Sequence, residues 1–424
     1  MLDIKFIKEN PDKVKEGCRK KQVKINIGRL LKIDGERRKN MAEIEKIFAR
    51  KNKAGRKISK TEDKKAKNKI ISEMKKIDKK SDRLKKILNN LNQEFQELMY
   101  QIPNLPFDDV PVGKDEKSNK IVRRAGKKTK FSFKPKDYLE IAENLELIDI
   151  KRAAKVSGSR FGYLKGELAL MQFALLNLVF DELVKEGFIP TIPPVLIKSE
   201  LMKGMGYIDT KEDMEERYFL EKDKLYLVGT SEQSIGPMHK DEIFQEKELP
   251  RRYVAFSTCF REEAGSYGKD TKGILRVHQF DKAEMFSFCR PENSKKEHQF
   301  LISMQEKLMK QLGLPYQLVQ LCTGDLARPS ANTFDIETWL PGQNRYRETH
   351  SASNCTDFQS RRLNIRYRSK RTNKTDFVHT LNGTGFAFGR ILIAIVENYQ
   401  QKDGSIKVPK VLQKYLKFKK VAKR

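Results

Sequence analysis

The stretch Phe260–Glu284, which reads FREEAGSYGKDTKGILRVHQFDKAE, decides the fold of the larger part of this chain. Bulky and charged residues alternate in Phe260–Glu263, as they do in a strand with one buried face. Ala264–Gly273 then contains three glycines with a serine, a tyrosine and an aspartate, a composition typical of turns. Ile274–Phe280 is apolar again and predicts a second strand. The stretch therefore predicts two strands joined by a flexible loop.

Charged side chains recur along this predicted hairpin. Arg261 and Glu263 are two residues apart and so share one face of a strand, and Glu284 follows shortly after the return strand. A guanidinium group donates two hydrogen bonds in one plane, which suits a phosphate group. On these residues alone, a nucleotide site and a hairpin with a structural Arg–Glu ion pair both remain open.

The complete string resembles motif 2 of the class II aminoacyl-tRNA synthetases, in the version found in the seryl-tRNA synthetase family. Leu381–Arg390, which reads LNGTGFAFGR, resembles motif 3 of these enzymes, and Gly187–Pro194, which reads GFIPTIPP, resembles motif 1 at their dimer interface. The resemblance covers nearly the whole chain. It implies an enzyme that attaches L-serine to tRNA(Ser) with ATP through a seryl-adenylate, and that also serves tRNA(Sec) in cells that have one.

The pattern of strands outside these motifs favours an antiparallel sheet. Strand-like runs such as Leu225–Val228, Tyr253–Phe256 and Thr333–Trp339 are not separated by regularly alternating helices, as they are in a parallel sheet. The sequence contains neither GxGxxG nor GxxxxGK[ST], which argues against the two common nucleotide-binding loops. We therefore expect an α+β protein: an N-terminal antiparallel helical coiled-coil arm and a class II synthetase catalytic domain built on an antiparallel sheet flanked by helices.

The N-terminal region has the pattern of a helical hairpin. Residues 1–25 predict a short helical lead-in that breaks at Pro11 and again near Gly17. Residues 27–51 predict the first long helix, with one apolar face formed by Leu30, Met41, Ile44 and Phe48. The second long helix has a heptad seam from Ile70 to Leu98 with a polar interruption at Ser81.

The boundaries of this region follow from glycine and proline. We expect a glycine-containing turn at Ala54–Lys57 between the two long helices and an end of the second helix before Pro103. The predicted organisation is an N-terminal tRNA-binding domain over residues 1–106, a polar linker over residues 107–130 and the catalytic domain over residues 131–424.

Net charge supports a polyanionic partner. The chain has a net charge of +30, and residues 1–100 hold 31 basic and 15 acidic residues, so +16 of that charge lies in the first quarter. Residues 51–69 alone have nine basic residues against Glu62 and Asp63, a net charge of +7. Such a cluster suits phosphate groups, although a solvated spacer remains open on charge alone. The resemblance implies that the arm holds the variable arm of tRNA, with Lys57, Lys60, Lys64 and Lys65 as candidate contacts.

The resemblance also assigns the amino-acid site and the catalytic residues. Arg261 and Arg390 are the candidate catalytic residues, because positive charge is needed where the phosphates react. The implied serine-binding residues are Thr230, Ser231, Glu232, Arg261, Glu284 and Thr384. Members of this family usually have Ala at the position of Ser231, and many have Ser at the position of Thr384. Glu232 suits the substrate ammonium, whereas Glu284 and Thr384 suit the hydroxyl.

ATP and Mg²⁺ are the implied co-substrate and metal. The implied ATP-binding residues are Arg261, Glu262, Glu263, Val277, Glu348, Thr349, His350, Ser351 and Arg390. Glu348 and Ser351 are the implied metal ligands, and a carboxylate and a hydroxyl are the hard oxygen ligands that Mg²⁺ prefers. Thr349-His350 departs from the family, whose members more often have Ile-Ser between the two ligands.

The remaining composition bears on location and assembly. The five cysteines include no CxxC pair, which predicts reduced thiols and no structural zinc site. The sequence has no signal-peptide pattern and no apolar run of about 20 residues, so we expect a cytoplasmic protein without a membrane partner. The resemblance implies a homodimer.

Two alternatives from other functional classes remain open at this point. One is a paralogue that adenylates an amino acid and loads a carrier protein, but such relatives usually lack the long N-terminal arm. The other is a non-catalytic tRNA-binding relative. It would be expected to have lost Arg261, Glu263, Glu348 or Arg390, all of which are present.

Overall fold

The structure is a computed structural model that describes residues 1–60, 62–264, 270 and 272–423. It divides into two compact units, which we describe separately. One unit comprises Leu2–Arg19 and Val23–Pro103, and the other comprises Asn104–Arg424 with Met1 and Lys20–Gln22.

Four helices make up the described part of the N-terminal unit: α1 (Ile4–Glu9), α2 (Pro11–Lys20), α3 (Ile27–Lys60) and α4 (Lys64–Gln101). The expected break at Pro11 is present, since α2 begins there. The expected break near Gly17 is wrong, because Gly17 is buried within α2.

The predicted glycine turn at Ala54–Lys57 is also wrong, because this stretch belongs to α3. One glycine in a helix costs only about 1 kcal/mol relative to alanine, and its neighbours are good helix formers. Helix α3 instead continues to Lys60 and α4 begins at Lys64, where the Asp63 carboxylate caps α4 by accepting a hydrogen bond from the Lys65 amide at 2.8 Å.

The predicted heptad seam lies on the shielded face of α4. All its positions are buried or half-buried, namely Ile70, Met74, Ile77, Ser81, Leu84, Leu88, Leu91, Phe95 and Leu98. In α3 the expected face is only partly correct. Leu30 and Ile44 are buried, but Met41 and Phe48 are exposed, and Ile47 is buried in their place.

The larger unit is a mixed α+β domain. Its helices are α5 (Tyr138–Asn144), α6 (Ile150–Ser157), α7 (Gly166–Lys185), α8 (Ser199–Met205), α9 (Lys211–Glu215), α10 (Glu232–Ile235), α11 (Ser294–Leu312), α12 (Phe358–Leu363) and α13 (Phe388–Asn398). Its strands are β1 (Lys120–Ala125), β2 (Ile148–Asp149), β3 (Tyr163–Leu164), β4 (Ile189–Thr191), β5 (Leu196–Lys198), β6 (Phe219–Leu220), β7 (Leu225–Leu227), β8 (Ile243–Gln245), β9 (Arg251–Phe260), β10 (Gln279–Cys289), β11 (Tyr316–Gln320), β12 (Asn332–Leu340), β13 (Arg345–Asn354), β14 (Arg366–Arg368), β15 (Thr375–Phe377), β16 (His379–Ala387), β17 (Ile406–Lys407) and β18 (Lys420–Val421).

An eight-stranded sheet in the order β1-β11-β12-β13-β16-β10-β9-β4 forms the centre of this unit. Its pairs are antiparallel except β4 with β9. The antiparallel sheet flanked by helices that we expected is therefore confirmed. The stretch 107–130, expected to be a linker, contributes the edge strand β1, whose residues are mostly exposed. An edge strand can be polar because it is paired on one side only.

The predicted hairpin begins and ends at different residues from those expected. Strand β9 ends at Phe260, and β10 starts only at Gln279. The apolar residues Ile274, Leu275 and Val277 are buried in the main core from turns rather than from a strand. Apolar sequence alone cannot distinguish these two ways of burying a side chain.

The helices α7, α11 and α13 supply most of the core on one side of the sheet. The glycines of the motif 3 stretch allow this packing. A Cβ atom at Gly385 would lie 2.9 Å from Val179 Cγ2 of α7 and 3.1 Å from the Ala283 carbonyl oxygen. Gly385 lies in strand β16, where its lack of a side chain lets α7 approach the sheet.

Candidate active site

A cavity of about 290 Å³ lies on the sheet where β9, β10, β13 and β16 run side by side. Antiparallel pairing brings distant parts of the sequence together there. Glu284 of β10 lies directly opposite Thr384 of β16, and Arg390 lies in the first turn of α13, which follows β16 immediately. Side chains from separate segments of the chain therefore face one space.

Most of the residues predicted for the site line this cavity. They are Thr230, Glu232, Arg261, Glu263, Val277, Glu284, Glu348, Thr349, Ser351, Thr384 and Arg390. Three predicted residues do not line it, namely Ser231, Glu262 and His350. The four candidate lysines of the arm lie in the N-terminal unit and are exposed, as tRNA contacts must be.

Each of the three residues outside the cavity has local contacts of its own. Ser231 is fully buried, and its hydroxyl donates to the Ala255 carbonyl at 3.4 Å. The Glu262 carboxylate interacts with the Tyr218 side chain. His350 packs edge-on against the Phe386 ring at 5.8 Å, and burial lowers its pKa to about 3.

A β-bulge explains why His350 points away from the cavity while Glu348 and Ser351 face it. The pairing of β12 with β13 shifts so that Glu337 lies opposite Glu348 and Ile336 lies opposite His350, which leaves Thr349 as the extra residue. A bulge places two consecutive side chains on one face of a strand. Thr349 and His350 therefore both lie on the core face, where the Thr349 hydroxyl meets Thr338 Oγ1 at 2.8 Å and His350 Nδ1 at 2.9 Å, whereas Glu348 and Ser351 face the cavity.

The Arg261 guanidinium is fixed at the wall of the cavity. Its Nε and Nη2 donate to the Gly229 carbonyl oxygen at 3.3 and 3.2 Å. The ring of Phe280 lies 5.2 Å from its Cζ atom. A carbonyl partner leaves the positive charge uncompensated, whereas a carboxylate would neutralise it, so Arg261 presents net positive charge to an anion in the cavity.

A buried carboxylate forms a second part of the site. Glu232 is 3% exposed, and burial raises its pKa. The hydroxyl of Tyr207 donates a hydrogen bond to Glu232 Oε1, and the Arg217 guanidinium lies 5.5 Å from the Tyr207 ring. Sequence reasoning missed Tyr207 and Arg217, because nothing in their local sequence distinguishes them from other residues of a polar stretch.

The third part combines Glu284, Thr384 and Lys282. The Lys282 ammonium lies 2.5 Å from Glu284 Oε2 and donates to Thr230 Oγ1 at 3.4 Å. Burial raises the pKa of Glu284 to about 7, against the opposing effect of Lys282. Lys282 belongs to the quoted motif 2 string but was not predicted as a site residue. Its position two residues before Glu284 on one strand was the signal available.

The fourth part is a pair of opposite charges at the start of α13. Arg390 Nη1 lies 3.0 Å from Glu348 Oε1 and donates to the Glu348 carbonyl at 3.2 Å. Enclosure by protein tends to raise the pKa of Glu348, but the positive charges of Arg390, Arg261 and Lys282 outweigh it and lower that pKa overall. Arg276 pairs with Glu263 at 2.5 Å nearby and was also missed from the sequence.

Oxygen ligands for a hard cation are present at this end of the cavity. Glu348 and Ser351 both line it. Asp335, whose Oδ1 is buried and makes no hydrogen bond, lies opposite Ser351 on β12. The described residues include no cluster of three or more His, Cys, Asp and Glu side chains arranged to hold a metal. Carboxylate and hydroxyl oxygens are nevertheless ligands that suit a hard cation such as Mg²⁺.

The chain matches two protein families along most of its length. Residues 1–106 match the Seryl-tRNA synthetase N-terminal domain. Residues 217–399 match the tRNA synthetase class II core domain (G, H, P, S and T). A serine–tRNA ligase of Thermodesulfovibrio yellowstonii is 44% identical over 420 residues, which cover 98% of this chain and 99% of that protein. The serine–tRNA ligase of Dictyoglomus turgidum is 42% identical over 419 residues, with 98% of each chain covered.

Solved structures show the same architecture. The seryl-tRNA synthetase from Pyrococcus horikoshii, solved in complex with ATP, matches with a TM-score of 0.92 and 39% identity, and each chain is covered completely. The cytoplasmic serine–tRNA ligase from Naegleria fowleri, solved in complex with AMP, matches with a TM-score of 0.87 and 34% identity over 100% of this chain and 99% of that one.

Proposed function

This chain belongs to the seryl-tRNA synthetase family, and from that premise we propose that it joins L-serine to tRNA(Ser) with ATP through a seryl-adenylate. One observation carries the proposal: a single cavity contains a carboxylate for an ammonium, an arginine for a carboxylate and a phosphate, and an acid–hydroxyl pair for a small side chain. The proposal also covers tRNA(Sec) in a cell that has one.

The two alternatives do not fit as well. The match over residues 1–106 is to a seryl-tRNA synthetase N-terminal domain, which a carrier-loading paralogue usually lacks. The four residues that a non-catalytic relative would be expected to lose, Arg261, Glu263, Glu348 and Arg390, all line the cavity.

The first half-reaction requires placement and charge stabilisation without a covalent protein nucleophile. A carboxylate oxygen of serine attacks the α-phosphorus of ATP, a new P–O bond forms, and pyrophosphate leaves with the electrons of the broken bond. Arg261 lies where it can contact the reacting carboxylate and the α-phosphate, and it stabilises the charge that develops there. Arg390, in the first turn of α13, is assigned to the far end of the triphosphate.

Selection of serine rests on the parts of the cavity that face its two polar ends. Glu232 and Thr230 are assigned to the ammonium, and Glu284 and Thr384 to the hydroxyl. Alanine would leave Glu284 and Thr384 without the hydroxyl group that they are assigned to bind, and sites of this kind reject such an analogue by about 10⁴-fold or more. Threonine has the hydroxyl and must be excluded by the volume of the cavity, which is a weaker discrimination.

Mg²⁺ is the proposed metal of the ATP site. Glu348 and Ser351 would hold it, and when bound it would neutralise phosphate charge. Glu348 also pairs with Arg390, so this carboxylate would have two cationic partners. Its lowered pKa keeps it ionised for either of them.

The proposed tRNA contact is made by the arm. The tip of the α3–α4 hairpin has a net charge of +7 over residues 51–69, and its candidate lysines are exposed. Because lysine contacts with phosphates release counterions, tRNA binding there should weaken steeply as salt is added.

We also propose a homodimer that acts in the cytoplasm. Exposed apolar side chains follow α7 and continue into the motif 1 stretch, namely Leu170, Phe173, Val184, Ile189 and Ile192. A group of exposed apolar side chains on one helix and on the stretch that follows it suits an interface. The five cysteines are buried and free, in keeping with a reducing compartment. None of the described helices is long and apolar enough to cross a membrane.

The decisive experiment is exchange of pyrophosphate into ATP with each of the twenty amino acids in turn. Serine alone should support strong exchange, and removal of Mg²⁺ should stop it. Strong exchange with another amino acid and none with serine would overturn the assignment.

A further inference from the structure

Lys282 is a buried lysine in the cavity wall to which the proposed reaction gives no task. Lys282 is 9% exposed and Glu284 is 1% exposed. The two side chains are two positions apart on β10 and meet at 2.5 Å. Lysine is almost never this buried without a partner, because transfer of its charge out of water is costly. The ion pair with Glu284 therefore explains how Lys282 is tolerated.

The charge balance around Glu284 makes this lysine important. The groups that act on the Glu284 carboxyl are Lys282 on the same strand, Glu232 from α10 and Arg261 beyond β9, with the Cys259 thiol nearby on β9. Across the cavity, Lys282 also acts on Glu348 and His350 of β13. Burial and the negative charge of Glu232 both favour a protonated Glu284. Lys282 contacts it directly, whereas Arg261 is bound to the Gly229 carbonyl.

The protonation state of Glu284 decides the direction of its hydrogen bond. An ionised carboxylate only accepts hydrogen bonds, whereas a hydroxyl can both donate and accept. With Glu284 ionised, the substrate hydroxyl donates to it and can accept from Thr384, which lies directly opposite on β16. A hydrogen bond to a charged acceptor is also roughly twice as strong as a neutral one.

We infer that Lys282 is a positioning residue that favours the ionised form of Glu284 and so makes the pocket an acceptor for the hydroxyl of serine. This inference rests on the proposed function, because it assigns serine to this cavity. Lys282 acts through Glu284 and needs no contact with the substrate. Its contact with Thr230 at 3.4 Å ties it to the neighbouring part of the site as well.

The test is the pH dependence of serine-dependent exchange in the full-length Lys282→Met variant. Loss of a contacting opposite charge raises a carboxyl pKa by about two units. The pKa of Glu284 would then lie about two units above its wild-type value of about 7. At pH 7 the ionised fraction of Glu284, and with it kcat/KM for serine, should therefore fall by about 50-fold, and both should recover as the pH rises towards 9. Lys282→Arg should retain most of the activity at pH 7. Lys307→Met, which removes a lysine paired with Glu182 and Glu186 at 3.1 and 3.0 Å outside the cavity, is the matched control.

A second comparison separates this role from a purely structural one. Exchange with alanine, which has no hydroxyl, should be changed little by Lys282→Met, so the preference for serine over alanine should fall with the serine rate. In wild type, kcat/KM for serine should rise through a group that titrates near pH 7, and this measurement does not depend on whether the variant folds.

The outcomes are distinguishable from a failure of the proposed function. If wild-type protein does not activate serine, the proposed function fails. If it does activate serine, but Lys282→Met lowers exchange equally at every pH, or equally with serine and alanine, the inference about Lys282 is refuted.

Discussion

Arg261→Ala should abolish serine activation while leaving the fold and tRNA binding intact. In the structure this guanidinium is held in place by the Gly229 carbonyl at 3.2 and 3.3 Å and by the ring of Phe280. It is half-buried and forms no part of the main apolar core. Its removal therefore takes away a preorganised charge without opening a large core cavity.

The size of the effect follows from what this charge does. Loss of one preorganised donor to a developing negative charge costs about 10²–10³ in rate. Arg261 is assigned to both the carboxylate and the α-phosphate, so we expect a loss at the upper end of this range. Arg261→Lys should restore only part of the rate, because an ammonium keeps the charge but lacks the planar pair of donors.

The assay is pyrophosphate exchange at saturating serine and ATP, with thermal unfolding and tRNA binding measured on the same samples. Arg152→Ala removes an exposed arginine that pairs with Asp149 outside the cavity, and it serves as the control. Near-normal exchange by Arg261→Ala, with the fold preserved, would refute the role given to Arg261. A loss of tRNA binding in parallel would show that the damage is not local.

Three further predictions test other parts of the molecule. Tyr207→Phe removes the hydroxyl that donates to Glu232, so KM for serine should rise by about 10-fold with kcat changed less; an unchanged KM would remove Tyr207 from the site. Phe173→Asp should convert the dimer to monomers in light scattering, because it places a charge on an exposed apolar surface; a dimer that persists would contradict the proposed interface. Neutral substitution of the four arm lysines should weaken tRNA binding and reduce its salt slope by up to about 0.9 per lost contact, with serine activation unchanged. The four lysines are Lys57, Lys60, Lys64 and Lys65. The control is the same substitution at exposed lysines of the C-terminal segment, and an equal effect there would make the arm a spacer. These controls are Lys402, Lys407, Lys410 and Lys417.

Much of the architecture could be predicted because it depends on local periodicity and residue type. The heptad seam of α4 requires only that apolar residues recur every three or four positions, and every predicted seam position is shielded. The antiparallel sheet followed from the absence of alternating helices, and it is confirmed. Most of the residues predicted for the site also line one cavity. They could be predicted because their types and order resemble those of a known family.

What the sequence left undecided depends on energies that are small locally or on neighbours that are distant in the chain. Gly55 could have ended a helix or continued it, and the cost of about 1 kcal/mol is too small to decide. His350 was predicted to bind ATP, but the bulge at Thr349 turns its side chain towards the core.

Tyr207 and Lys282 became part of the site only through tertiary structure. Tyr207 is brought to Glu232, which lies 25 positions further along the chain. Lys282 and Glu284 were both visible in the motif, but only burial shows that their charges must compensate each other. The sequence by itself thus determined which chemical groups are available and which segments form helices and strands. The tertiary structure decided which of those groups share a desolvated space, because the electrostatic energy between them depends on distance and burial rather than on order along the chain.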